Sequence, residues 1–220
     1  MTMTATRPVF TLIGDVVASR QTGDRRLLQS RLEAVLDEVN ELLKPLVPLE
    51  PTIGDEFQGS FDRVATAVRA SLLIRLALLD SARVDSRYGL GIGPVEALGR
   101  KHRVSQDGPG WWSAREAIIL AKQISEVQHT SFVRAYLCAH SSRWTGEAAA
   151  LNAFLFCRDA IVDRMKRIGQ KRLYGVILGL SQSEIATREG TTQGAISQSL
   201  ARSDAFAIVA AQDQLEERYR

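Results

Sequence analysis

Two aspartates are placed where chemistry is most readily built. Asp15 closes the apolar run Val9-Phe-Thr-Leu-Ile-Gly-Asp15, and Asp55 follows glycine in Thr52-Ile-Gly-Asp55. A carboxylate in apolar surroundings is costly unless it meets a partner, and Mg²⁺ accepts carboxylate oxygens when a nucleotide's phosphates supply its other ligands. One Gly-Asp pair alone reads more simply as a capped turn. Two of them, at a strand end and at a hairpin tip, bring convergence on one divalent cation into contest with that plainer reading, with Asp15 and Asp55 as the expected metal ligands. Glu56 is expected on the opposite side of the hairpin.

A second concentration of signals lies near the C-terminus, from Gly179 to Ser203. Ser181 followed by Glu184 forms a capping box, Gly190 suits a positive-φ turn, and Thr191 or Thr192 caps a second short helix. Ile185, Ala186, Ala195, Ile196 and Leu200 give the pair an apolar seam. Thr192, Gln193, Gly194, Ser197, Gln198 and Arg202 form the face expected to meet double-stranded DNA: Gln pairs with adenine, Ser bonds base edges or phosphates, and Gly permits close approach. Lys171 and Arg172, with Arg164, Lys166 and Arg167, precede this unit and suit phosphate contacts. An ordinary αα-hairpin with a solvated basic face is the plainer alternative; cap, small buried residue, turn glycine and polar face in one register favour helix-turn-helix.

The elements that must position these residues follow from periodicity. Residues 9–15 read as a buried strand, and 24–43 as an amphipathic helix stopped by Pro45 and Pro48. Two short strands are expected around Gly54-Asp55, with Pro51 at an edge. Residues 62–82 read as a helix buried on more than one face. Arg87-Tyr-Gly-Leu-Gly-Ile-Gly-Pro-Val95 reads as a strand closely approached by backbone or ligand, and a helix from about Trp111 to Val127 carries Arg115. A further strand is expected within 131–140, and a long helix over 148–168. This order predicts an α+β fold: a ferredoxin-like or palm-like βαββαβ sandwich with helices on one face of a mainly antiparallel sheet, followed by an all-α helix-turn-helix domain. The expected division is 1–145 and 146–220.

Composition narrows the class. The chain has 220 residues, 45% hydrophobic and 24% charged, which suits one substantial core with an appendage. It shows no long apolar span and no signal-peptide core, so a cytoplasmic protein without membrane contact is expected. A net charge of +3 permits a polyanionic partner without requiring one. The two cysteines, Cys138 and Cys157, lack metal spacing and read as reduced core residues, and the three histidines lack ligand spacing.

Ile13-Gly-Asp15-Val-Val-Ala-Ser-Arg20, Thr52-Ile-Gly-Asp55-Glu-Phe-Gln-Gly59, Tyr88-Gly-Leu-Gly-Ile-Gly-Pro-Val95 and Asp107-Gly-Pro-Gly-Trp-Trp-Ser-Ala-Arg115 together resemble the SatD family, over nearly the whole chain. More remotely, the N-terminal motifs resemble class III nucleotidyl cyclases, and residues 179–203 resemble the helix-turn-helix of bacterial regulators and sigma factors. The cyclase resemblance implies Asp15 and Asp55 as metal aspartates, Val16, Val17, Ala18 and Ser19 as backbone holding phosphates, and Arg115 as the arginine facing transition-state charge. It lapses at Trp111, where cyclases carry asparagine, and at Pro51, where a purine-selecting lysine often stands. The combined expectation is a DNA-binding transcriptional regulator, homodimeric because one such unit makes few base contacts, whose N-terminal part senses a purine nucleotide with Mg²⁺. The alternative is a Mg²⁺-dependent enzyme acting on nucleotides as a cyclase, nucleotidyl transferase or phosphohydrolase.

Overall fold

The computed structural model describes residues 8–17, 25–52, 54–97 and 106–219. Strand β1 (Val9–Val16) leads into helix α1 (Arg25–Leu43), the hairpin β2 (Val47–Pro51) and β3 (Glu56–Phe61), helix α2 (Val64–Ser81) and strand β4 (Ser86–Gly93). A small ribbon, β5 (Glu96–Ala97) with β6 (Gln106–Asp107), precedes α3 (Pro109–Ser125) and β7 (Ala135–Ala139). The main sheet has the order β2-β3-β1-β4-β7. Its first four strands are antiparallel, with β1 in the centre, as a βαββαβ unit requires; β7 joins β4 in parallel. Pro51 ends the edge strand β2, where a missing N–H costs no ladder bond.

Helices cover both faces of this sheet, not one. Phe10, Leu12 and Val16 of β1, with Tyr88, Leu90 and Ile92 of β4, face α1 and α2, whereas Ile13 packs with Trp111, Ala114 and Ile118 of α3 on the other side. The glycine alternation of β4 supplies the reason. A Cβ on Gly89 would lie 2.1 Å from the Ala114 carbonyl oxygen, and one on Gly91 would lie 2.1 Å from that of Gly110. Helix α3 therefore rests its backbone directly on the sheet, the close approach that alternating glycine signals.

The C-terminal third is helical: α4 (Thr145–Arg164), α5 (Arg167–Ile177), α6 (Gln182–Glu189), α7 (Gln193–Arg202) and α8 (Ala205–Arg218). The long helix expected over 148–168 starts earlier and breaks at Met165 and Lys166, both extended at the α4–α5 junction. Helix α2 is apolar all round and almost wholly buried, because α5 and α8 cover the flank that the sheet leaves open. One hydrophobic cluster consequently runs from β1 to Ile208 across position 145. Polar contacts tighten it: Arg69 donates to the Ile177 carbonyl at 2.7 Å, and Gln212 to that of Ala65 at 3.1 Å.

A buried ionic network joins α4 to the sheet. Asp159, fully buried, accepts the N–H groups of Arg134 and Ala135 at 2.8 Å each, and pairs with Arg158 at 3.0 Å and Arg75 at 3.3 Å. Arg75 and Arg134 also hold Asp85. Cys138 is half-buried on β7, and its thiol is pushed up to about 11, by burial first and then by Glu116. Cys157 is exposed on α4 and not in the core, since its neighbours turn inward instead.

Candidate functional site

The end of β1 gathers charge because of sheet register. Asp15 pairs directly with Glu56 on β3 and with Arg87 on β4, and directly paired residues share a face, here the α3 face. Arg87 donates to Asp15 Oδ2 at 3.2 Å, while Arg115, projecting from α3, grips Glu56 through two hydrogen bonds of 2.8 and 2.9 Å. Glu56 thus stands beside Asp15, correcting the expectation that it points away.

Glycines seat this cluster. A Cβ on Gly14 would enter the Phe57 ring at 2.1 Å; without it, Phe57 and Tyr88 meet edge to face at 6.1 Å beneath the strand. At the hairpin tip Gly54 has φ +81°, a conformation that strains other residues, and the Asp55 carbonyl accepts the Val16 N–H at 3.3 Å. The tip is thereby held against the end of β1.

Asp15 is the least comfortable member. Its Oδ1 is buried and has no hydrogen-bond partner. Burial raises its pKa; Arg87 opposes the rise, Asp55 and Glu56 add to it, and Lys122 opposes it again. Asp55 and Glu56 thus add to the cost of ionising Asp15. Among the described residues no three His, Cys, Asp or Glu side chains lie close enough to hold a metal by themselves. A Mg²⁺ ion would take two carboxylates here and the rest of its shell from water and phosphate, which is its usual preference.

The expected phosphate-holding segment divides. Val16 is buried in the main core, its N–H bonded to Asp55, and the Val17 N–H donates to the Asp85 carbonyl at 2.8 Å. Ala18 and Ser19 lie outside the described residues. Trp111 is core, 7% exposed and set against Ile13, so the position where cyclases carry asparagine holds a buried indole whose N–H has no partner among the described residues. Trp112 is 59% exposed and donates its indole N–H to Asp107 at 2.8 Å.

Near the C-terminus, Ser181 and Glu184 form the capping box, Gly190 takes φ +63°, and Thr192 caps α7 by accepting the Ala195 N–H at 3.2 Å. Ile196 and Leu200 are buried; Gln193, Gly194, Gln198 and Arg202 are exposed, and Ser197 is half-buried. Gln193 donates to Gln182 at 2.6 Å, tying α7 to α6. The basic run before this unit has acidic partners that the linear sequence hides. Arg172, mostly buried, pairs with Glu189 at 2.8 Å, Lys171 approaches the same carboxylate at 3.9 Å, and Arg167 pairs with Asp80 at 3.1 Å.

The SatD family profile matches residues 9–207. The chain belongs to the SatD family. No curated protein matches this SatD-family chain. Solved structures similar to it include a bacterial light-regulated adenylyl cyclase, at 17% identity and a TM-score of 0.42 over 54% of this chain and 72% of that one. Another is the guanylyl cyclase Cya2, at 16% identity and a TM-score of 0.37 over 52% of this chain and 70% of that one.

Sequence reasoning missed Glu56, Arg87 and Lys122 around Asp15: strand register brings the first two beside it, and Lys122 acts on it from helix α3. It also missed the ionic network, although Arg75 within Leu72-Leu-Ile-Arg-Leu-Ala-Leu78 was a visible signal: a charge in a wholly apolar helix needs a buried partner.

Proposed function

We propose that this SatD-family protein takes a purine nucleoside triphosphate with Mg²⁺ at the end of β1. The observation that carries the reading is the buried, unpartnered Oδ1 of Asp15 among the repelling carboxylates of Asp55 and Glu56. Arg87 offsets the cost of this arrangement only in part, since the pKa of Asp15 stays raised, and a bound cation would offset more of it. Asp15 and Asp55 would hold the ion, which supplies charge neutralisation for the phosphates. Arg115, about half exposed, would exchange Glu56 for a phosphate, which offers its guanidinium the same two-pronged acceptor geometry. Cyclisation is not part of the proposal: Pro51 and Trp111 leave base and ribose without the groups that cyclases use.

Calorimetric titration with ATP and GTP, with and without Mg²⁺, tests the site. Metal-enhanced binding that disappears in Asp55→Asn is expected; equal binding with and without metal would overturn it. Turnover of bound nucleotide marks an enzyme, and binding alone marks a sensor.

A second reading concerns α6 and α7, and the polar exposed face of α7 favours it. In this reading the unit binds double-stranded DNA through Gln193, Ser197 and Gln198, a homodimer presents two copies, and the nucleotide site governs transcription. Replacing all three by alanine should abolish selective retention of genomic fragments while leaving circular dichroism unchanged. Equal retention by the variant would remove this reading.

A further inference from the structure

A cleft of about 520 Å³ opens between the α4–α5 junction and α7, far along the chain from Asp15. Its lining combines apolar Ile161, Met165 and the exposed Ile168 with the cationic Arg164, Lys166 and Arg202. The pairing of charges in this region is selective. Arg167, Lys171 and Arg172 have carboxylate partners, whereas the side chains of Arg164, Lys166 and Arg202 form no ion pair or hydrogen bond with any described residue. Asp204 is the one carboxylate among the cleft's lining residues, and its side chain has no partner among the described residues either. The first turn of α5 borders the cleft with the positive end of its dipole, while the C-terminal ends of α4 and α7, which carry Arg164 and Arg202, present the negative end, so the positive potential here comes from the side chains.

We infer that this cleft binds a small phosphate-bearing molecule, with its phosphate among Arg164, Lys166 and Arg202 and its less polar part over Ile161, Met165 and Ile168. Three cations around one concavity repel each other, and a multiply charged anion removes that cost while gaining charge-assisted hydrogen bonds. The volume lies within the usual range for small-ligand sites and suits a sugar phosphate or a mononucleotide. A duplex backbone could reach the same cations but would leave the apolar residues uncovered, which favours the small molecule. Because Gln198 and Arg202 line the cleft and also belong to the exposed face of α7, the occupant would alter the surface that the second reading assigns to DNA. The inference itself needs neither that reading nor the nucleotide site.

Inorganic pyrophosphate serves as the probe, titrated into the full chain at physiological ionic strength with a chelator present to silence any divalent-metal site. Saturable binding is expected, with amide resonances of Gly169, Ala195 and Ser199 shifting together. The double variant Arg164→Ala/Arg202→Ala should weaken binding at least tenfold, and Lys166→Ala alone should weaken it measurably, providing an independent check if the double variant loses structure. Asp55→Asn should bind pyrophosphate as the wild type does. Absence of saturable binding, binding that survives both sets of cleft variants, or loss in Asp55→Asn would overturn the inference. A parallel titration with a short random-sequence duplex separates the phosphate sources: binding of the duplex but not pyrophosphate assigns the cations to a nucleic-acid backbone and overturns the small-molecule site.

Discussion

Asp15 shows what a single residue can disclose. A carboxyl whose pKa is raised in the folded protein binds its proton more readily there than in the unfolded chain, so stability falls as pH rises from the ordinary carboxyl value through the folded one. At neutral pH ionised Asp15 therefore works against the fold. Asp15→Asn is expected to melt at or above the wild-type temperature at neutral pH, with wild type gaining on the variant as pH is lowered; a variant markedly less stable at neutral pH would show that the carboxylate is structural. Gly91 shows a case where space decides. Gly91→Ala would force a Cβ against the Gly110 carbonyl at 2.1 Å and Thr11 Oγ1 at 2.5 Å, and should cost about 1–3 kcal/mol or more in urea denaturation, as overpacked sites do. The alternating glycines were legible as a sign of close approach. Whether helix or ligand approached was not, because residues 88–93 carry no information about the far face of the sheet.

Among the elements, strand and helix identities were mostly legible because hydrophobic period depends on local sequence alone. Boundaries and partners were not. The α4–α5 break at Met165 and Lys166 falls inside a stretch with no proline, and its capping residues are an arginine's neighbours, not the usual serine or glycine signal. Glu56 was misplaced for a related reason: its face follows from the β1–β3 register, a long-range property. The ionic network is the element-scale feature with the largest expected consequence. Asp159→Ala would leave Arg75 and Arg158 buried without this partner, and the N–H groups of Arg134 and Ala135 without an acceptor. Loss of about 3–5 kcal/mol is expected, measured by chemical denaturation. Asp85 adds a pH signature. Burial works to raise its pKa, but Arg75 and Arg134 more than offset that and leave it below the ordinary value, so its contribution is present above the unfolded pKa and is lost as pH falls through the folded one.

At the scale of the whole molecule, the expected division at residue 145 meets a core that continues through it. If α4, α5 and α8 are needed to cover α2, residues 1–145 alone should expose that flank, bind a hydrophobic dye and aggregate, while the full chain unfolds in one transition with coincident circular dichroism and tryptophan fluorescence curves. A soluble, cooperatively folding fragment would establish an independent N-terminal domain. No helix among the described residues is long and apolar enough to cross a membrane.

The two-sided burial of α2 also has a meaning in time. The ribosome completes α2 at Ser81, yet its outer cover is not finished until α8, ending at Arg218, has emerged. At usual synthesis speeds of about 5–20 residues per second, the nascent chain carries that bare apolar flank for on the order of ten seconds. A helix built to be enclosed on every side thus spends its first moments as a ready landing place for chaperones that grip exposed aliphatic surface, and the yield of folded protein in the cell should follow their supply.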